Sequence, residues 1–395
     1  MSIQKKICPS CGTDGMSSFY EAKNVPISSC LMFNSREEAV NFPRGDVLLG
    51  FCSNCGFISN TAFDSAKVDY WSLDPEEQGF SGTFLKYLHR LASDLIQNHN
   101  LHNKNILEIG CGRGDFLALL CELGNNYGVG IDPSSITGQV ESDASDRLTF
   151  IRDYYSERHA VHHGDFVCCR HTLEHIHDTE QFMHTLRRAT ENRLETGVFF
   201  EVPDVSRILQ EVAFWDIYYE HCSYFSLGSL ARLFRFCDFE VTNLRKDYFD
   251  QYLLIEVKPV TQKSGSIHVN EESVKELAQS VMSFKLKSHE KVSNWKKIIN
   301  KIRIEDKKAV IWGSGSKCVA FMTTLGITDE IEYIIDINPN RHGKYIPGLG
   351  KQIMSPKFLK KYLPDTVIVM NPAYVKEIKE DLDSMGLSPE IIPCL

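Results

Sequence analysis

The stretch that decides the fold runs from residue 106 to residue 116 and reads Ile-Leu-Glu-Ile-Gly-Cys-Gly-Arg-Gly-Asp-Phe. Residues 106–109 are apolar apart from Glu108, a pattern typical of a buried strand. Glycines follow at once, and a helical pattern begins at Asp115. Because strand, glycine turn and helix bring backbone close to a ligand and aim helix N–H groups at it, the stretch predicts a ligand-binding turn.

The glycine spacing argues against a dinucleotide fingerprint, which reads G-x-G-x-x-G. Asp115 stands where the third glycine of that fingerprint belongs, and Gly114 comes one residue early. The pattern E-x-G-C-G-x-G instead resembles motif I of class I S-adenosylmethionine (SAM) methyltransferases. That resemblance implies that SAM is the cofactor and is contacted by this set of residues: Glu108, Gly110, Cys111, Gly112 and Gly114.

Length and composition bound the class of protein. The 395 residues are enough for two or three domains. The formal charge of −9 argues against a general nucleic-acid binder. No run of about 18 apolar residues predicts a membrane span, and the N-terminus lacks the apolar core of a signal peptide. The 13 scattered cysteines, an odd number, indicate reduced thiols and a cytoplasmic protein.

Residues 1–60 predict a zinc-binding module. Two C-x-x-C pairs, each followed by glycine, lie at its ends: Cys8, Cys11, Cys52 and Cys55. Two thiolates on one tight turn bind one side of a tetrahedral zinc ion, and a second such turn completes the site. Four ordinary thiols would leave the two following glycines unexplained. We therefore expect one structural zinc ion per chain, with strands between the pairs that bring them together.

The rest of the chain is predicted to form several α/β parts. Residues 61–80 are a connector suited to an active-site lid, and residues 81–259 predict a central doubly wound, Rossmann-like sheet. Ser81 is expected to cap the first helix of this domain, which runs to about residue 98. The expected strands of the central sheet are 106–109, 127–131, 148–153, 165–171 and 197–203, with a closing pair at 239–244 and 251–257.

Polar residues follow the strands of this sheet, where ligands bind in doubly wound folds. Asp132, followed by Pro133, is placed to accept hydrogen bonds from the ribose hydroxyls of the cofactor. Asp153 is placed to meet the adenine amine, and Arg170 and His171 to contact cofactor or substrate. Their common position at strand ends supports a SAM site.

Residues 260–305 predict a helical bridge, and residues 306–395 a small, Rossmann-like α/β domain. Its glycine turn contains Gly313 and Gly315, and its second strand ends in Asp336. The sequence leaves three interpretations open: a second cofactor site, a holder for a nucleotide-bearing substrate, or a structural sheet.

The histidine loop, which we define as residues 215–226, is the richest polar and aromatic stretch of the chain. His221 suits a general base at neutral pH, and the adjacent Glu220 can hold its tautomer if the loop bends. The alternative is a structural role, in which His221 is buried and its ring nitrogens are hydrogen-bonded to backbone. Three further residues are expected to contact substrate: His175, Tyr219 and Tyr224. Ser226 is expected to cap the helix that follows.

The order of these motifs resembles that of zinc-containing sugar C-methyltransferases, which act on nucleotide-linked 4-keto-deoxysugars. The resemblance rests on the cysteine pairs, on residues 108–114 and on residues 218–226. It implies His221 as the base that takes the proton next to the ketone, Glu220 as its partner and Tyr218 as a substrate contact. The implied partner is a nucleotide-sugar, with no nucleic acid and no membrane.

Two other functions fit the same sequence. One is an O- or N-methyltransferase of the same architecture, with His221 deprotonating a hydroxyl. The other is a zinc-dependent interaction protein with a vestigial SAM site, which the intact motif residues Glu108, Gly110 and Asp132 argue against.

Overall fold

The computed structural model describes residues 6–72, 79–135, 140–262 and 265–395. The part of the predicted connector from 73 to 78 lies outside these residues. The helices, apart from short 3-10 turns, are α1 (Arg36–Val40), α2 (Gly82–His99), α3 (Asp115–Gly124), α4 (Thr179–Ala189), α5 (Val205–Glu211), α6 (Leu227–Phe236), α7 (Val274–Ile304), α8 (Ser316–Leu325), α9 (Leu359–Tyr362) and α10 (Val375–Ser384). No helix of the described ranges is long and apolar enough to cross a membrane.

The strands of these ranges form three sheets. The N-terminal sheet contains β1 (Ser17–Pro26), β2 (Arg44–Phe51), β3 (Ile58–Asn60) and β9 (Ser223–Tyr224). The central sheet contains β4 (Asn105–Ile109), β5 (Tyr127–Ile131), β6 (Leu148–Ile151), β7 (Phe166–Arg170), β8 (Gly197–Pro203), β10 (Phe239–Asp247) and β11 (Tyr252–Pro259). The C-terminal sheet contains β12 (Ala309–Trp312), β13 (Tyr333–Ile335), β14 (Gln352–Met354), β15 (Thr366–Val369) and β16 (Glu390–Pro393).

The central sheet confirms the predicted doubly wound fold. Its order is β10-β11-β8-β7-β4-β5-β6, with β4 to β8 parallel and β11 antiparallel to β8. The strand order reverses beside β4, which places the glycine turn after β4 at the switch point where such folds bind ligands. Ser81 and Ser226 cap α2 and α6 as predicted, each accepting a hydrogen bond from a backbone N–H of the first turn.

The C-terminal sheet is parallel, with the order β14-β13-β12-β15-β16. The sequence predicted β12, β13 and β15, and its prediction of a small Rossmann-like sheet is confirmed. β14 and β16 were missed because both are short edge strands with mixed polarity. The predicted helical bridge contains α7, whose buried face includes Leu277, Phe284 and Trp295.

The histidine loop is held at both ends by neighbouring parts of the fold. Phe214, just before the loop, stacks on Phe321 of α8 with ring centroids 6.0 Å apart, and Trp215 packs against Trp295 of α7. At the other end, β9 pairs antiparallel with β3, so the loop supplies a strand to the N-terminal sheet. The position of His221 therefore depends on both the N-terminal sheet and the helices α7 and α8. The sequence did not predict β9.

We expect Phe214→Ala to lower the free energy of unfolding by about 3–5 kcal/mol, because the ring is fully buried and its removal leaves a cavity. Phe249→Ala is the matched control, since Phe249 is 64% exposed and should change stability by less than about 0.5 kcal/mol. Urea denaturation followed by fluorescence measures both. Equal losses in the two variants would contradict the anchoring role of Phe214.

Candidate active site

A cavity of about 1220 Å³ opens between the central sheet, the histidine loop and the C-terminal sheet. It is lined by most of the residues that the sequence assigned to cofactor, base and substrate: Glu108, Gly110, Cys111, Gly112, Asp132, Pro133, Asp153, Arg170, His171, His175, Tyr218, Glu220 and His221. The cavity therefore gathers residues from strand ends that are far apart in sequence.

The glycine turn after β4 adopts backbone conformations that favour glycine. Gly110 has φ +72°, and a Cβ there would lie 1.9 Å from the hydroxyl of Thr172. The backbone N–H of Gly112 donates to Asp132 Oδ2 at 2.9 Å, so the turn and the end of β5 fix each other. Gly114 does not line the cavity; it begins α3 at φ +88°, where a Cβ would collide with Phe150.

The residues at this turn fit a SAM molecule. Asp132 Oδ1 accepts from the backbone N–H of Ser134 at 2.7 Å, which orients the carboxylate at the end of β5. Glu108 is buried, and its Oε2 has no hydrogen-bond partner among the described residues. Burial raises the pKa of Glu108 to about 8. A buried carboxyl with one unpaired oxygen beside a glycine turn leaves a hydrogen-bonding group for a polar ligand such as SAM.

Asp153 lines the cavity but already has side-chain partners. Its carboxylate pairs with Arg158 and lies 3.2 Å from His159 Nε2. Pro133 accepts through its carbonyl from Arg152 Nε at 3.0 Å. The contact of Asp153 with the adenine amine therefore stays a prediction. In that contact the adenine amine would share the carboxylate with Arg158 and His159, which fix its position.

A buried charge network joins the ends of β7 and β8. Arg170 pairs in register with Glu201 and binds its carboxylate through two nitrogens, at 3.2 and 3.0 Å. The guanidinium also stacks 4.3 Å from the ring centroid of Phe116 in α3. Burial opposes the ionisation of Glu201, but Arg170 and His171 more than offset it and hold the pKa of Glu201 well below its ordinary value.

His171 is the other cation of this network. Its Nε2 lies 2.7 Å from Glu201 Oε1, and its Nδ1 lies 3.5 Å from Glu174 Oε1. Burial by itself lowers the pKa of His171, but the charges of Glu201 and Glu174 more than offset it and raise the pKa to about 9. The sequence did not single out Glu201 as a site residue. The available signal was a lone carboxylate inside an otherwise apolar strand.

His221 faces the cavity from the middle of the histidine loop. Its ring is buried between Tyr218, at 4.3 Å between centroids, and His175, at 4.8 Å. Neither ring nitrogen makes a hydrogen bond to any described residue. Burial lowers the pKa of His221 well below its ordinary value, so the ring is neutral at pH 7. A neutral imidazole with free nitrogens in a cavity can accept a proton.

Glu220 contacts a different partner from the one that the sequence suggested. Its Oε1 accepts from both the backbone N–H of Ser29, at 2.8 Å, and the hydroxyl of Ser29. No hydrogen bond joins the Glu220 carboxylate to His221 within the described parts of the chain. The expected side-chain contact between these neighbours is thus replaced by a contact with the N-terminal part, because adjacent side chains on an extended loop point apart.

Two tyrosines expected at the substrate lie outside the cavity lining. Tyr219 is fully buried, and its hydroxyl accepts from the backbone N–H of Asp64 at 2.9 Å. Tyr224 lies in β9 and donates to the carbonyl of Tyr218 at 3.2 Å. Both residues hold the loop against the N-terminal sheet, and neither contacts the cavity. Tyr218, by contrast, lines the cavity, and its hydroxyl makes no hydrogen bond to a described residue.

His175 is fixed beside His221. Its Nδ1 lies 3.1 Å from the carbonyl of Glu220 and 3.2 Å from the hydroxyl of Tyr70 in the connector. Because a carbonyl only accepts, Nδ1 carries the proton in the neutral ring and Nε2 holds the lone pair. His171 and His175, although four residues apart, do not share a helix face, because residues Leu173–His175 form a 3-10 turn and His171 precedes it at φ +48°.

The second glycine turn, after β12, opens onto the same cavity. The backbone N–H of Ser314 donates to Asp336 Oδ2 at 2.9 Å, which repeats the Gly112–Asp132 arrangement of the central sheet. Lys317, in the first turn of α8, pairs with Asp216 of the histidine loop. Asp216 also lies 2.5 Å from Arg207. These cations line the cavity beside the turn, together with Arg341.

The four predicted metal ligands come together at the N-terminus. Cys8 Sγ lies 3.7 Å from Cys55 Sγ, and Cys11 Sγ lies 3.7 Å from Cys52 Sγ. All four sulfurs are within 4.8 Å of one another. A tetrahedral zinc ion with Zn–S bonds of about 2.3 Å needs sulfurs about 3.8 Å apart. The geometry therefore fits one zinc ion.

Comparisons with known proteins match two parts of the chain to family models. Residues 83–244 match the family model of a methyltransferase domain. Residues 257–387 match that of a C-methyltransferase C-terminal domain. The fold and the two matches define a SAM-dependent methyltransferase. The chain is similar to C-methyltransferases: its class I methyltransferase sheet is followed by a segment that matches the C-terminal domain of that family.

A curated relative and solved structures extend the comparison. The chain is 24% identical over 326 residues to the C-methyltransferase NovU of Streptomyces niveus, covering 78% of this chain and 76% of that protein. Magnesium protoporphyrin IX methyltransferase of Synechocystis, solved with S-adenosylhomocysteine, is 14% identical with a TM-score of 0.36, covering 50% of this chain and 96% of that one. An N1-methyltransferase of Burkholderia thailandensis is 16% identical with a TM-score of 0.32, covering 44% and 78%.

The raised pKa of His171 predicts a pH-dependent contribution to stability. Because the folded pKa of about 9 exceeds the ordinary value of 6.5, this stabilisation is complete below pH 6.5 and is lost as pH rises through about 9. The difference in unfolding free energy between the wild type and His171→Gln should therefore shrink between pH 6.5 and above pH 9 by about 3 kcal/mol. Urea denaturation across this range measures it, and a constant difference would contradict a charged His171.

Proposed function

We propose that this enzyme methylates the carbon next to the ketone of a nucleotide-linked deoxysugar, with His221 as the base. The observation that carries the proposal is the single cavity of about 1220 Å³ that is lined by both glycine turns and by His221. Sites for one small ligand usually measure about 300–1,000 Å³. A cavity of this size has room for a methyl donor and an acceptor together.

The base has the properties that this chemistry requires. A proton next to a ketone is acidic enough for a positioned histidine when the developing oxyanion is stabilised. His221 is neutral before the step because it is buried, and its ring nitrogens are free to take the proton. The hydroxyl of Tyr218, with its ring 4.3 Å from that of His221, is the donor that we assign to the oxyanion.

The remaining residues align the reaction and exclude water. Bound SAM supplies an electrophilic methyl group and a sulfur that leaves as a neutral thioether. Gly112 and Asp132 hold the donor end of the cavity in one position through their mutual hydrogen bond. Tyr70, through its contact with His175, closes the side of the cavity that the connector covers. Fixed geometry of this kind accelerates a reaction between two bound partners.

The C-terminal turn supports the choice of a nucleotide-linked acceptor. Gly315 and Ser316 present the N-terminus of α8 to the cavity, where backbone N–H groups and the helix dipole favour phosphate. Asp336, at the end of β13, is placed to accept from ribose hydroxyls. Lys317 brings a cation to the same place. We therefore assign the nucleotide to this end of the cavity and the sugar to the end near His221.

Hydrogen exchange tests the proposal. Incubation with S-adenosylhomocysteine, nucleotide-linked 4-keto-6-deoxyhexoses and D₂O should place deuterium on the carbon next to the ketone, because deprotonation does not need the methyl group. Mass spectrometry and proton NMR detect the label. No exchange with any keto-sugar would contradict the proposal and would favour a hydroxyl or amine acceptor.

We expect His221→Ala to abolish both exchange and turnover while leaving the dissociation constant of SAM within a few-fold of wild type, because His221 contacts the acceptor end of the cavity. Isothermal titration calorimetry measures SAM binding. A large loss of SAM affinity would contradict the assigned role. Phe249→Ala, an exposed change away from the cavity, is the control for general effects of substitution.

We also propose that the cysteine cluster holds one structural zinc ion. β3 begins three residues after Cys55 and pairs with β9 of the histidine loop, so the metal stabilises the part of the N-terminal sheet that supports this loop.

Metal analysis of the purified protein should find about one zinc per chain. Cys52→Ser should remove the zinc and lower the unfolding temperature, whereas Cys237→Ser, at a buried cysteine outside the cluster, should keep the metal. Wild-type protein without zinc would contradict the assignment.

A further inference from the structure

Glu174 is a buried carboxylate in the active site that the proposed mechanism does not yet use. It lies in the 3-10 turn Leu173–His175 and is 2% exposed. Its Oε1 lies 3.5 Å from His171 Nδ1, and its Oε2 has no hydrogen-bond partner in the described chain. An unpaired carboxylate oxygen is costly to bury, so its retention in a cavity indicates a role in binding or charge compensation.

Glu174 shares a cluster with the two histidines of the site. One carboxylate oxygen of Glu174 and one ring nitrogen each of His175 and His221 lie within 4.8 Å of one another. At this separation an opposite charge favours the protonated form of an imidazole.

Hydrogen bonds hold the turn that carries Glu174 against the histidine loop. Cys222 Sγ donates to the carbonyl of Glu174 at 3.5 Å, and Ser223 Oγ donates to the carbonyl of Ile176 at 3.0 Å. His175 Nδ1 donates to the carbonyl of Glu220 at 3.1 Å. These contacts join the turn to the loop, so they hold the backbone of Glu174 at a set distance from that of His221.

We propose that Glu174 is a positioning residue whose carboxylate balances the positive charge that His221 acquires as the base; this inference rests on the proposed function. In the step, the C–H proton of the acceptor moves to a ring nitrogen of His221, and the electron pair of that bond stays on the acceptor as the enolate. The proton stays on His221 and is not passed on to Glu174. A buried imidazolium without such a partner would be unstable, which would make His221 too weak a base.

Glu174 fits this role better than Glu220 does. Both glutamates have one buried oxygen without a hydrogen-bond partner in the described chain, and both donors of Ser29 occupy the other oxygen of Glu220. What separates them is distance, because Glu220 is not part of the cluster that His221 forms within the described residues. The titratable or charged groups that face His221 are Tyr218, Glu220 and Tyr224 of its own loop, Glu174 and His175 of the turn after β7, His171 at the end of β7, and Lys317 of α8. Within this set, Glu174 is the carboxylate that forms a cluster with the ring.

The first test is the pKa of His221, measured by NMR on histidine-labelled protein and assigned with His221→Asn. Glu174→Gln should lower this pKa by about one unit, because an anion beside the imidazolium is lost. Glu174→Asp should give a smaller change, since the charge is kept on a shorter side chain. Glu220→Gln, the matched change at a buried glutamate, should shift the pKa less than Glu174→Gln does.

The second test is the rate of deuterium exchange with a keto-sugar that the wild type labels. Glu174→Gln should slow exchange about tenfold, in line with the weaker base, while the dissociation constant of SAM stays within a few-fold. Glu174→Asp should recover part of the rate, which a purely structural role would not predict. Thermal denaturation checks that each variant is folded, and Glu174→Asp carries the test if Glu174→Gln does not fold.

The outcomes separate the two proposals. If the wild type exchanges no keto-sugar, the proposed function fails, but the pKa of His221 still tests the pairing with Glu174. An unchanged pKa of His221 in Glu174→Gln would overturn the inference. A larger shift in Glu220→Gln than in Glu174→Gln would also overturn it and would return the role to Glu220.

Discussion

The site depends on one constraint: the histidine loop is fixed at both ends by different parts of the fold. Trp215 packs into the core of the C-terminal sheet and its helices, and β9 is a strand of the N-terminal sheet. The central sheet also supports the loop, because the histidine loop is hydrogen-bonded to the turn after β7. We propose His221 as the base, and a ring held in this way needs no reorganisation when an acceptor binds, which is the property that efficient proton transfer requires.

The buried charges at the strand ends of the central sheet are also held in place by contacts from more than one side. Arg170 and His171 share the carboxylate of Glu201, and Glu174 lies on the far side of His171. The carboxylate of Glu201 thus holds both cations at the strand ends, beside a neutral His221. Removal of Glu201 would leave buried charge unpaired, which is far more costly than the pair itself is stabilising.

Local signals predicted much of this fold, and long-range contacts explain what they missed. The apolar run before Gly110 was sufficient to predict a strand and a ligand-binding turn, and the two C-x-x-C pairs were sufficient to predict that four cysteines come together. Hydrophobic period, glycine position and ligand spacing are all local properties of the sequence. The partner of Glu220 is Ser29, 191 residues away, and no local pattern specifies such a contact. Tyr219 looked like a substrate contact because polar aromatic residues suit cavities, yet its position in the loop aims it at the N-terminal sheet.

We propose that the two glycine turns bind different ligands, with His221 between them. A structure of the protein with both S-adenosylhomocysteine and a nucleoside diphosphate is the sharpest test. We expect the adenosyl group against Gly112 and Asp132, the diphosphate against Gly315 and Ser316, and His221 between them. A diphosphate bound away from the C-terminal turn, or a His221 ring turned out of the space between the ligands, would rule this arrangement out.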